Sequence, residues 1–437
     1  MIGRPRAAVR ADFRLGRFSM FFGTGAIVGR RLPRDNPAMD QTLIASPAAA
    51  IPRLLVPFLN LGHALTHLVM LIFPTAVLAL GPAWGIPYDK LMPASLGGLI
   101  AYGAGSLPSG WLGDRWSRRA LMALFFVGIG VGAMLCGLAR TPLEIGAALG
   151  LVGLFASIYH PVGLSLLVVD QAKLGRTLGL NGVFGNLGIA GAAMVTGLLC
   201  EAFGWRWAFI APGLLSILAG IAFLALVPEL PRPSAAAVAK ETIEGAKTFP
   251  LVMAVSLVIF IICDSLVFNA TTIALPKVAE THLSGWFDNA AAIGSIVSIV
   301  FAVAALAQLW IGHLIDRVAL PRIFLPLAAA QIAALLLTGL WSGPFFILPA
   351  LATMFIIFGL IPISDAVIAR NVSDAWRSRA YAVSYVVAFG IGPVAVPLIA
   401  ALYDETRGFP YLFPVLAAIA GGTLLAALTL ALQKRTT

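Results

Sequence analysis

Gly110-Trp111-Leu112-Gly113-Asp114-Arg115 and Gly312-His313-Leu314-Ile315-Asp316-Arg317 share the pattern Gly-x-Leu-x-Asp-Arg, and both lie between long apolar stretches. Two shorter marks recur at nearly the same distance: Gly175-Arg176-Thr177 with Ser378-Arg379-Ala380, and His160-Pro161 with Ile361-Pro362. A hydrophilic turn that returns after about two hundred residues, together with other marks at that spacing, predicts a membrane unit duplicated in tandem.

The composition of the chain is that of a membrane protein. Hydrophobic residues make up 60% of its 437 residues and charged residues 11%, whereas soluble domains contain about a quarter charged residues. Apolar runs long enough to cross about 30 Å of hydrocarbon recur along the chain, which predicts an all-α polytopic membrane protein. We predict twelve helices, near residues 54–80, 92–112, 120–139, 142–169, 178–202, 207–227, 250–275, 287–311, 323–341, 345–368, 380–402 and 409–432.

The basic residues are distributed unevenly over the predicted loops. The net charge of +10 would suit a nucleic-acid-binding protein, but the lysines and arginines are concentrated in loops on one side of the predicted membrane. If the N-terminus is cytoplasmic, 24 of the 29 lysines and arginines fall on the cytoplasmic side of the predicted helices. The five on the opposite side are Lys90, Arg140, Arg206, Lys277 and Arg407. Because lysine and arginine concentrate in cytoplasmic loops, this predicts an even helix count, both termini cytoplasmic, and insertion in the cell's inner (plasma) membrane. The predicted partners are lipid, a small-molecule substrate and protons, with no nucleic acid.

Two segments differ from the apolar stretches and predict the domain organisation. Residues 1–53 hold nine arginines against three aspartates and predict a disordered cytoplasmic extension, with Met39 as an alternative start and binding to anionic lipid as an alternative role. Residues 228–249 are rich in proline and charged residues, as in a solvated cytoplasmic linker. We therefore predict an N-terminal six-helix bundle over residues 54–227 and a C-terminal six-helix bundle over residues 250–433.

The first hexapeptide and the residues after it resemble a known signature. Gly110-x-Leu112-x-Asp114-Arg115-x-x-Arg118-Arg119 resembles the loop between helices 2 and 3 of the major facilitator superfamily, and the second hexapeptide is similar to its degenerate copy between helices 8 and 9. Ser117 stands where the family often has glycine. The resemblance covers about residues 54–433 and implies twelve transmembrane helices in two pseudo-symmetric six-helix bundles. It also implies that helices 1, 4, 7 and 10 line a central pathway.

A narrower resemblance concerns the predicted first and fourth helices. Ser157-Ile158-Tyr159-His160-Pro161 is similar to the His-Pro segment of fosmidomycin-resistance-type exporters. The stretch from Asn60 to Pro74 also resembles helix 1 of those proteins. This second resemblance implies a drug-exporting branch of the superfamily.

The charged residues of the two hexapeptides are candidates for a conformational latch. Unpaired N–H groups and the helix dipole favour a carboxylate at a helix N-terminus, so Asp114 could cap helix 11 in one conformation and release it in the other. The neighbouring arginines could pair with carboxylates at helix ends, such as Asp170. The latch set is Gly110, Asp114, Arg115, Arg118, Arg119, Asp316 and Arg317. The alternative is a basic turn that only sets topology.

Polar residues inside the predicted spans concentrate on the four helices that line the pathway in the superfamily. Such residues are costly in hydrocarbon and are expected to face a cavity or a partner. Asn60, His63 and His67 share one face of helix 1 because of their spacing. The candidate substrate and proton pathway consists of Asn60, His63, His67, Tyr159, His160, Asp264, Asn269 and Asp365.

Asp264 and the histidines are the candidates for proton coupling. Asp264 is the acidic residue nearest the middle of a predicted span, where a carboxyl group could take up and release a proton in each cycle. Its alternative role is structural, bound to a neighbouring hydroxyl or amide, and Asp365 is equally a partner for Arg370. Histidines titrate near neutral pH, and their alternative is a buried hydrogen-bonded pair. No metal site is predicted, because no cysteine or carboxylate joins His63 and His67 on helix 1.

The predicted helix 5 has glycine at regular intervals. These residues are Gly179, Gly182, Gly185, Gly188 and Gly191. Small residues let helix backbones approach closely, so this stripe predicts tight packing against a neighbouring helix.

Three classes of function compete for this sequence. An enzyme is not predicted, because the chain shows no paired nucleophile and base, no metal cluster and no Walker sequence, and no cofactor is implied. A membrane receptor or scaffold would need a partner surface, and the predicted loops are short. The repeat, the charged loops and the polar residues of the spans together predict a monomeric secondary transporter that works by alternating access. We expect proton-coupled export of an amphipathic or drug-like solute, with proton-coupled uptake of a small organic acid or other metabolite as the alternative.

Overall fold

The chain folds into long helices that lie side by side. The computed structural model describes residues 53–167, 174–229, 251–315, 317–371 and 374–433. Within these ranges the only extended pairing is an isolated bridge between Asp404 and Gly408. Residues 1–52 and the predicted linker beyond Glu229 lie outside the described residues.

The described ranges contain a helix for each predicted span. They are α1 (Leu55–Trp84), α2 (Leu96–Arg115), α3 (Arg118–Leu138), α4 (Pro142–Leu167), α5 (Leu174–Phe203), α6 (Trp205–Leu226), α7 (Leu251–Leu283), α8 (Ala290–Ile315), α9 (Leu320–Leu340), α10 (Ile347–Asn371), α11 (Asp374–Ile391, continued by Ala395–Leu402) and α12 (Leu412–Gln433). Eleven of them are long and apolar enough to cross a membrane. The exception is α2, whose apolar residues are diluted by glycine, serine and proline. The all-helical membrane fold is thus confirmed.

Helix pairing follows the same plan in the two halves of the chain. In the first half α1 packs against α5, α2 against α4 and α3 against α6. In the second half α7 packs against α11, α8 against α10 and α9 against α12. The halves meet where α5 packs against α8 and α2 against α11. Adding six to the helix numbers of each first-half pair gives the corresponding second-half pair, and the contact of α5 with α8 corresponds to that of α11 with α2. This is expected for the predicted tandem duplication and its pseudo-twofold axis.

The contact between α5 and α8 brings two backbones close together. A Cβ atom built on Gly197 would lie 2.2 Å from the carbonyl oxygen of Ala290, and one built on Gly294 would lie 2.1 Å from that of Ala193. Real side chains do not come so near, so only glycine fits at these two positions. The halves are therefore in backbone contact near the C-terminal end of α5.

The first hexapeptide is helical, and the prediction that it forms a turn was wrong, whereas the second begins in a helix and reaches a turn at Arg317. Residues 110–115 form the last turns of α2, and the chain reverses only at Trp116 and Ser117. Ser117 has a φ of −69°, which needs no glycine, and its Oγ accepts a hydrogen bond from the N–H of Ala120 (3.0 Å) at the start of α3. The second hexapeptide likewise begins inside α8, which ends at Ile315.

Helices α1 and α4 depart from regular geometry beside the centre of the bundle, as α11 does at Gly392–Val394 in the second half. Helix α1 is interrupted at Leu71, three residues before Pro74. Helix α4 is regular to Ala156 and then forms a π-helical turn over Tyr159–Gly163 that contains Pro161. Proline has no N–H and breaks the α-helical ladder, and π-helical turns are frequent at functional sites. His160 lies in this turn.

Candidate functional site

A cavity of about 1370 Å³ lies between the two halves of the protein. Its walls come from α1, α2, α4 and α5 of the first half and from α7, α8, α10 and α11 of the second. It reaches Arg118 at the end of the bundle where the hexapeptides lie, here called the basic-loop end. At the opposite end, the aromatic end, the Tyr88 ring packs 5.1 Å from Tyr403 and 6.0 Å from Phe409.

Most of the predicted pathway residues line this cavity. They are His63, His67, His160, Asp264, Asn269 and Asp365. Asn60 and Tyr159 are instead packed behind its wall, where they are 4% and 0% exposed. The structure does not place them among the cavity-lining residues, because protein groups satisfy their polar atoms, and their part in the pathway remains a prediction. The Tyr159 hydroxyl donates to the backbone oxygen of Leu59 (2.8 Å), and Asn60 Oδ1 accepts from Asn181 (3.0 Å).

Asn181 of α5 organises the first-half wall and was not predicted as a site residue. Its Nδ2 donates to Asn60 Oδ1 and to the Tyr159 hydroxyl oxygen (2.8 Å), while its backbone oxygen lies 2.7 Å from His63 Nδ1. An amide inside an apolar span is itself a signal of a partner or cavity, and that signal could have found it. The regular glycines around it drew attention to packing instead.

Three histidines meet in the first-half wall. His63 and His67 lie one turn apart on α1, and their Nε2 atoms are 3.2 Å apart. His160 comes from the π-helical turn of α4, and its ring centroid is 5.3 Å from that of His63 and 5.7 Å from that of His67. One ring nitrogen from each of the three lies within 4.8 Å of the others. The prediction of no metal site was based on His63 and His67 of helix 1 alone. In the structure, α4 supplies a third imidazole.

The glycine stripe of α5 contributes to this wall at two positions. A Cβ built on Gly185 would lie 2.6 Å from the His63 ring, and one built on Gly188 would lie 2.2 Å from the backbone oxygen of Ala64. Gly179, Gly182 and Gly191 have open space at the same position. The packing predicted for the stripe therefore applies to Gly185 and Gly188.

Carboxylates and amides replace the histidines in the second-half wall. Asp264 of α7 is 8% exposed and faces the cavity, and its Oδ1 accepts a hydrogen bond from Nε2 of Gln331 on α9 (3.1 Å). The Asn269 amide donates to the backbone oxygen of Ser265, one turn earlier (2.8 Å). A hydroxyl or amide partner for Asp264 was predicted as the alternative to a proton role, and the structure identifies this partner as Gln331.

The predicted latch residues bind helix ends within the described part of the chain. Arg119 donates to the backbone oxygens of Leu224 and Val227, where a positive charge is favourable at the C-terminus of α6. Its guanidinium also lies 3.9 Å from Glu229. Arg115 stacks on the Trp111 ring (4.2 Å). The side chains of Asp114, Asp170 and Asp316 lie outside the described residues, so the predicted release of α11 remains a prediction.

Known proteins resemble this chain in sequence and in structure. The sequence model described as Major Facilitator Superfamily matches residues 42–301. Multidrug resistance protein MdtG of Enterobacter lignolyticus (strain SCF1) is 27% identical over 323 residues, which are 71% of this chain and 75% of that protein. The 4-hydroxybenzoate transporter PcaK of Pseudomonas putida is 28% identical over 165 residues, which are 35% of each chain. Three further curated relatives match over only 24% to 28% of their own length.

Solved structures share the arrangement of helices. A crystal structure of a bacterial homolog to the human lysosomal transporter Spinster, in an inward-facing and occupied conformation, aligns with a TM-score of 0.69. The alignment covers 87% of this chain and 96% of that one, at 14% sequence identity. At so low an identity the likeness concerns the fold alone.

Proposed function

We propose that this chain, which belongs to the Major Facilitator Superfamily and is a multi-pass membrane transporter rather than an enzyme, exports small amphipathic solutes in exchange for protons. The observation that carries this proposal is Asp264, a buried carboxyl group facing a large and mostly apolar cavity. Ionisable groups inside a membrane protein mark ion and substrate pathways by default.

The cavity wall supports an amphipathic cargo. At about 1370 Å³ the cavity exceeds the roughly 300–1,000 Å³ of sites for drug-sized ligands. Side chains such as Leu99, Phe260 and Ile273 make its wall apolar. Among its described lining residues, the only lysine or arginine is Arg118, at the basic-loop end. Strongly anionic phosphate esters usually need basic side chains around them, so a neutral or cationic solute suits this wall better.

Asp264 is the proposed coupling group. Gln331 can donate its hydrogen bond to either protonation state of the carboxyl group, so the side chain keeps its position when a proton binds. The protonated form removes a buried charge and the ionised form restores one. Alternation between two conformations that bind the proton unequally would then link proton entry to cargo exit.

The remaining assignments belong to the same proposal. Both termini lie in the cytoplasm, and the basic-loop end faces the same side, in line with the predicted loop charges. The two bundles, 54–227 and 250–433, rock against each other as a monomer. The charged residues at the ends of α2 and α8 and at the start of α3 control the balance between the two states. The likeness to fosmidomycin-resistance-type exporters remains a prediction.

Uptake of a small organic acid is the second candidate. The resemblance to PcaK favours it, because that protein is a 4-hydroxybenzoate transporter. Protonated histidines in the first-half wall could receive a carboxylate. Both candidates use the same cavity and differ in cargo charge and in direction.

Transport by purified protein in proteoliposomes distinguishes these candidates. We expect an imposed pH gradient to drive ethidium towards the proton-rich side, with an interior pH dye reporting proton movement in the opposite direction. Labelled 4-hydroxybenzoate should not accumulate under the same gradient. Accumulation of 4-hydroxybenzoate together with protons would replace export by uptake. Liposomes without protein, and ethidium movement in the absence of a gradient, are the controls.

A further inference from the structure

The His63, His67 and His160 cluster holds more unsatisfied polar atoms than a packing role requires. Neither ring nitrogen of His160 has a hydrogen-bond partner among the described residues, although both are buried. Buried polar atoms in proteins nearly always have a partner, because leaving one without costs about 1–3 kcal/mol. A stack of aromatic rings would not require a nitrogen-bearing ring here, since Phe or Tyr would pack equally well.

The tautomer of His63 directs a lone pair into the cluster. Its Nδ1 lies 2.7 Å from the backbone oxygen of Asn181, and a carbonyl oxygen can only accept. Nδ1 therefore carries the proton, and Nε2 presents its lone pair towards His67, whose Nε2–H donates a hydrogen bond to it (3.2 Å). A histidine whose far nitrogen is fixed by a backbone carbonyl is the usual arrangement around a bound metal ion.

The spacing of the nitrogens fits a tetrahedral ion. With metal–nitrogen bonds of about 2.0–2.1 Å, two ligands on one tetrahedral ion lie roughly 3.3–3.4 Å apart. The two Nε2 atoms of α1 are 3.2 Å apart, and one ring nitrogen from each of the three histidines lies within 4.8 Å of the other two. A change in the side-chain torsion angles of His160 would bring its nitrogen to the distance that a shared ion requires.

We infer that His63, His67 and His160 bind one divalent transition-metal ion of the Zn²⁺, Co²⁺ or Ni²⁺ class, with a fourth coordination position that faces the cavity. Imidazole ligands suit these ions, whereas Ca²⁺ and Mg²⁺ require oxygen ligands. All three histidines line the cavity, so the fourth corner of the tetrahedron is open to water or to a donor atom of the cargo. This site goes beyond the proposed function, which uses Asp264 in the other wall.

Neighbouring residues pack against two of the three ligands. Tyr159 stacks on the His63 ring at 5.0 Å with an interplanar angle of 21°. Gly185 leaves the space that the same ring occupies. The Phe389 ring lies 5.0 Å from His160. The His63 imidazole is thus in place before an ion binds, and the His160 ring completes the site by moving towards it.

Metal titration of the full-length protein tests the inference. The protein is purified without a polyhistidine tag, and CoCl₂ is added while visible absorption is recorded, since tetrahedral Co²⁺ absorbs far more strongly than octahedral Co²⁺. Calorimetry with ZnCl₂ gives the stoichiometry. We expect one ion per chain and a tetrahedral Co²⁺ spectrum that Zn²⁺ abolishes. The variants His67→Gln and His160→Gln should each lower Zn²⁺ affinity more than about 100-fold, beyond what changes around a metal site usually cause.

The two histidines outside the cluster provide matched controls. His282 stacks on Phe346 and His313 lies near the end of α8, and neither lines the cavity. His282→Gln and His313→Gln should bind Zn²⁺ as the unmodified protein does. Binding that survives in His67→Gln or His160→Gln, or that is lost in His313→Gln, would overturn the site. An unmodified protein that gives no tetrahedral Co²⁺ spectrum would overturn it without any variant.

Discussion

The two walls of the cavity have the same backbone plan and opposite chemistry. The first-half wall presents His63, His67 and His160, while the second-half wall presents Asp264 and Asp365. His67 and Asn269 stand at the same interval as the two hexapeptides, on α1 and on its counterpart α7. Duplication therefore preserved the positions and allowed the side chains to diverge. If Asp264 couples protons and the three histidines bind a metal ion, as proposed above, substitutions in one wall should alter one activity and leave the other unchanged.

Each wall also depends on an amide that does not itself define its chemistry. Asn181 positions His63 through its backbone oxygen, and Gln331 positions Asp264 through its side-chain amide. The first amide joins three helices, because it also binds Asn60 of α1 and Tyr159 of α4. Among the described residues, Asn181 therefore connects more helices than Gln331 does.

The largest effect is expected from Asp264→Asn in the second-half wall. The substitution keeps the shape of the side chain and an oxygen that can accept from Gln331, but it removes the titratable proton. Gradient-driven transport of ethidium should be lost, while exchange of ethidium across the membrane without a gradient should continue. Proteoliposome flux with and without a pH gradient measures both.

The matched control for that variant is Glu201→Gln, which changes an exposed carboxylate at the far end of α5. It should transport as the unmodified protein does. If Asp264→Asn kept full gradient-driven transport, the carboxyl group would be structural, and the proposed division between the walls would be wrong.

The next effect concerns the first-half wall alone. Gly185→Ala would place a methyl group 2.6 Å from the His63 ring and force that ring to move. We expect Zn²⁺ affinity to fall by about 10- to 100-fold, as for other changes around a metal site. Gly191→Ala is the control, because a Cβ there meets open space. Equal affinities in calorimetry for both variants would show that the His63 position is not needed.

A smaller effect should distinguish the connectivity of the walls. Asn60→Ala leaves the buried amide of Asn181 without one acceptor and should lower the free energy of unfolding by about 1–3 kcal/mol. Asn269→Ala should cost less, because Asn269 bonds only to its own helix among the described residues and faces the cavity. Denaturant unfolding in detergent compares the two. A larger loss for Asn269→Ala would reverse the ranking of the walls.

The smallest effect is expected at a loop that belongs to neither wall. Hydrogen bonds from Thr406, and then from Arg407, hold the pKa of Asp404 well below its usual range. A depressed pKa contributes stability above the unfolded pKa, and this stability is lost only as the pH falls through the folded value. Asp404→Asn should therefore lower the melting temperature slightly and equally at about pH 7 and about pH 5. A loss confined to the lower pH would contradict this assignment.

The sequence predicted the fold because membrane helices are determined by long apolar runs, which are local. It placed even α2, which is too polar for a hydropathy criterion, because Gly110 to Arg115 identified its end. The prediction that Gly110 to Arg115 form a turn was wrong, because a helix can continue through polar residues once it leaves hydrocarbon. Helix ends depend on such local capping as that of Ser117.

The candidate site was less accessible from sequence, because its contacts join different helices. Asp264 and the histidines could be identified by their rarity in apolar spans. That His160 would join His63 and His67 depends on the π-helical turn of α4, which no local pattern specifies. Tyr159 points behind the wall for the same reason, and Gln331 reaches Asp264 from a helix that was not expected to take part.

Backbone contact between α5 and α8 also bears on membrane leak. Where Gly197 and Gly294 meet opposing carbonyl groups, the two helices approach so closely that even a methyl group does not fit between them. We expect this contact to keep water and ions from passing between α5 and α8 as the two bundles tilt. A methyl group at either position would separate the two helices, and we expect ions then to cross without cargo. Such a leak would lower the membrane potential of the cell, even if the variant protein still folded and still transported its solute.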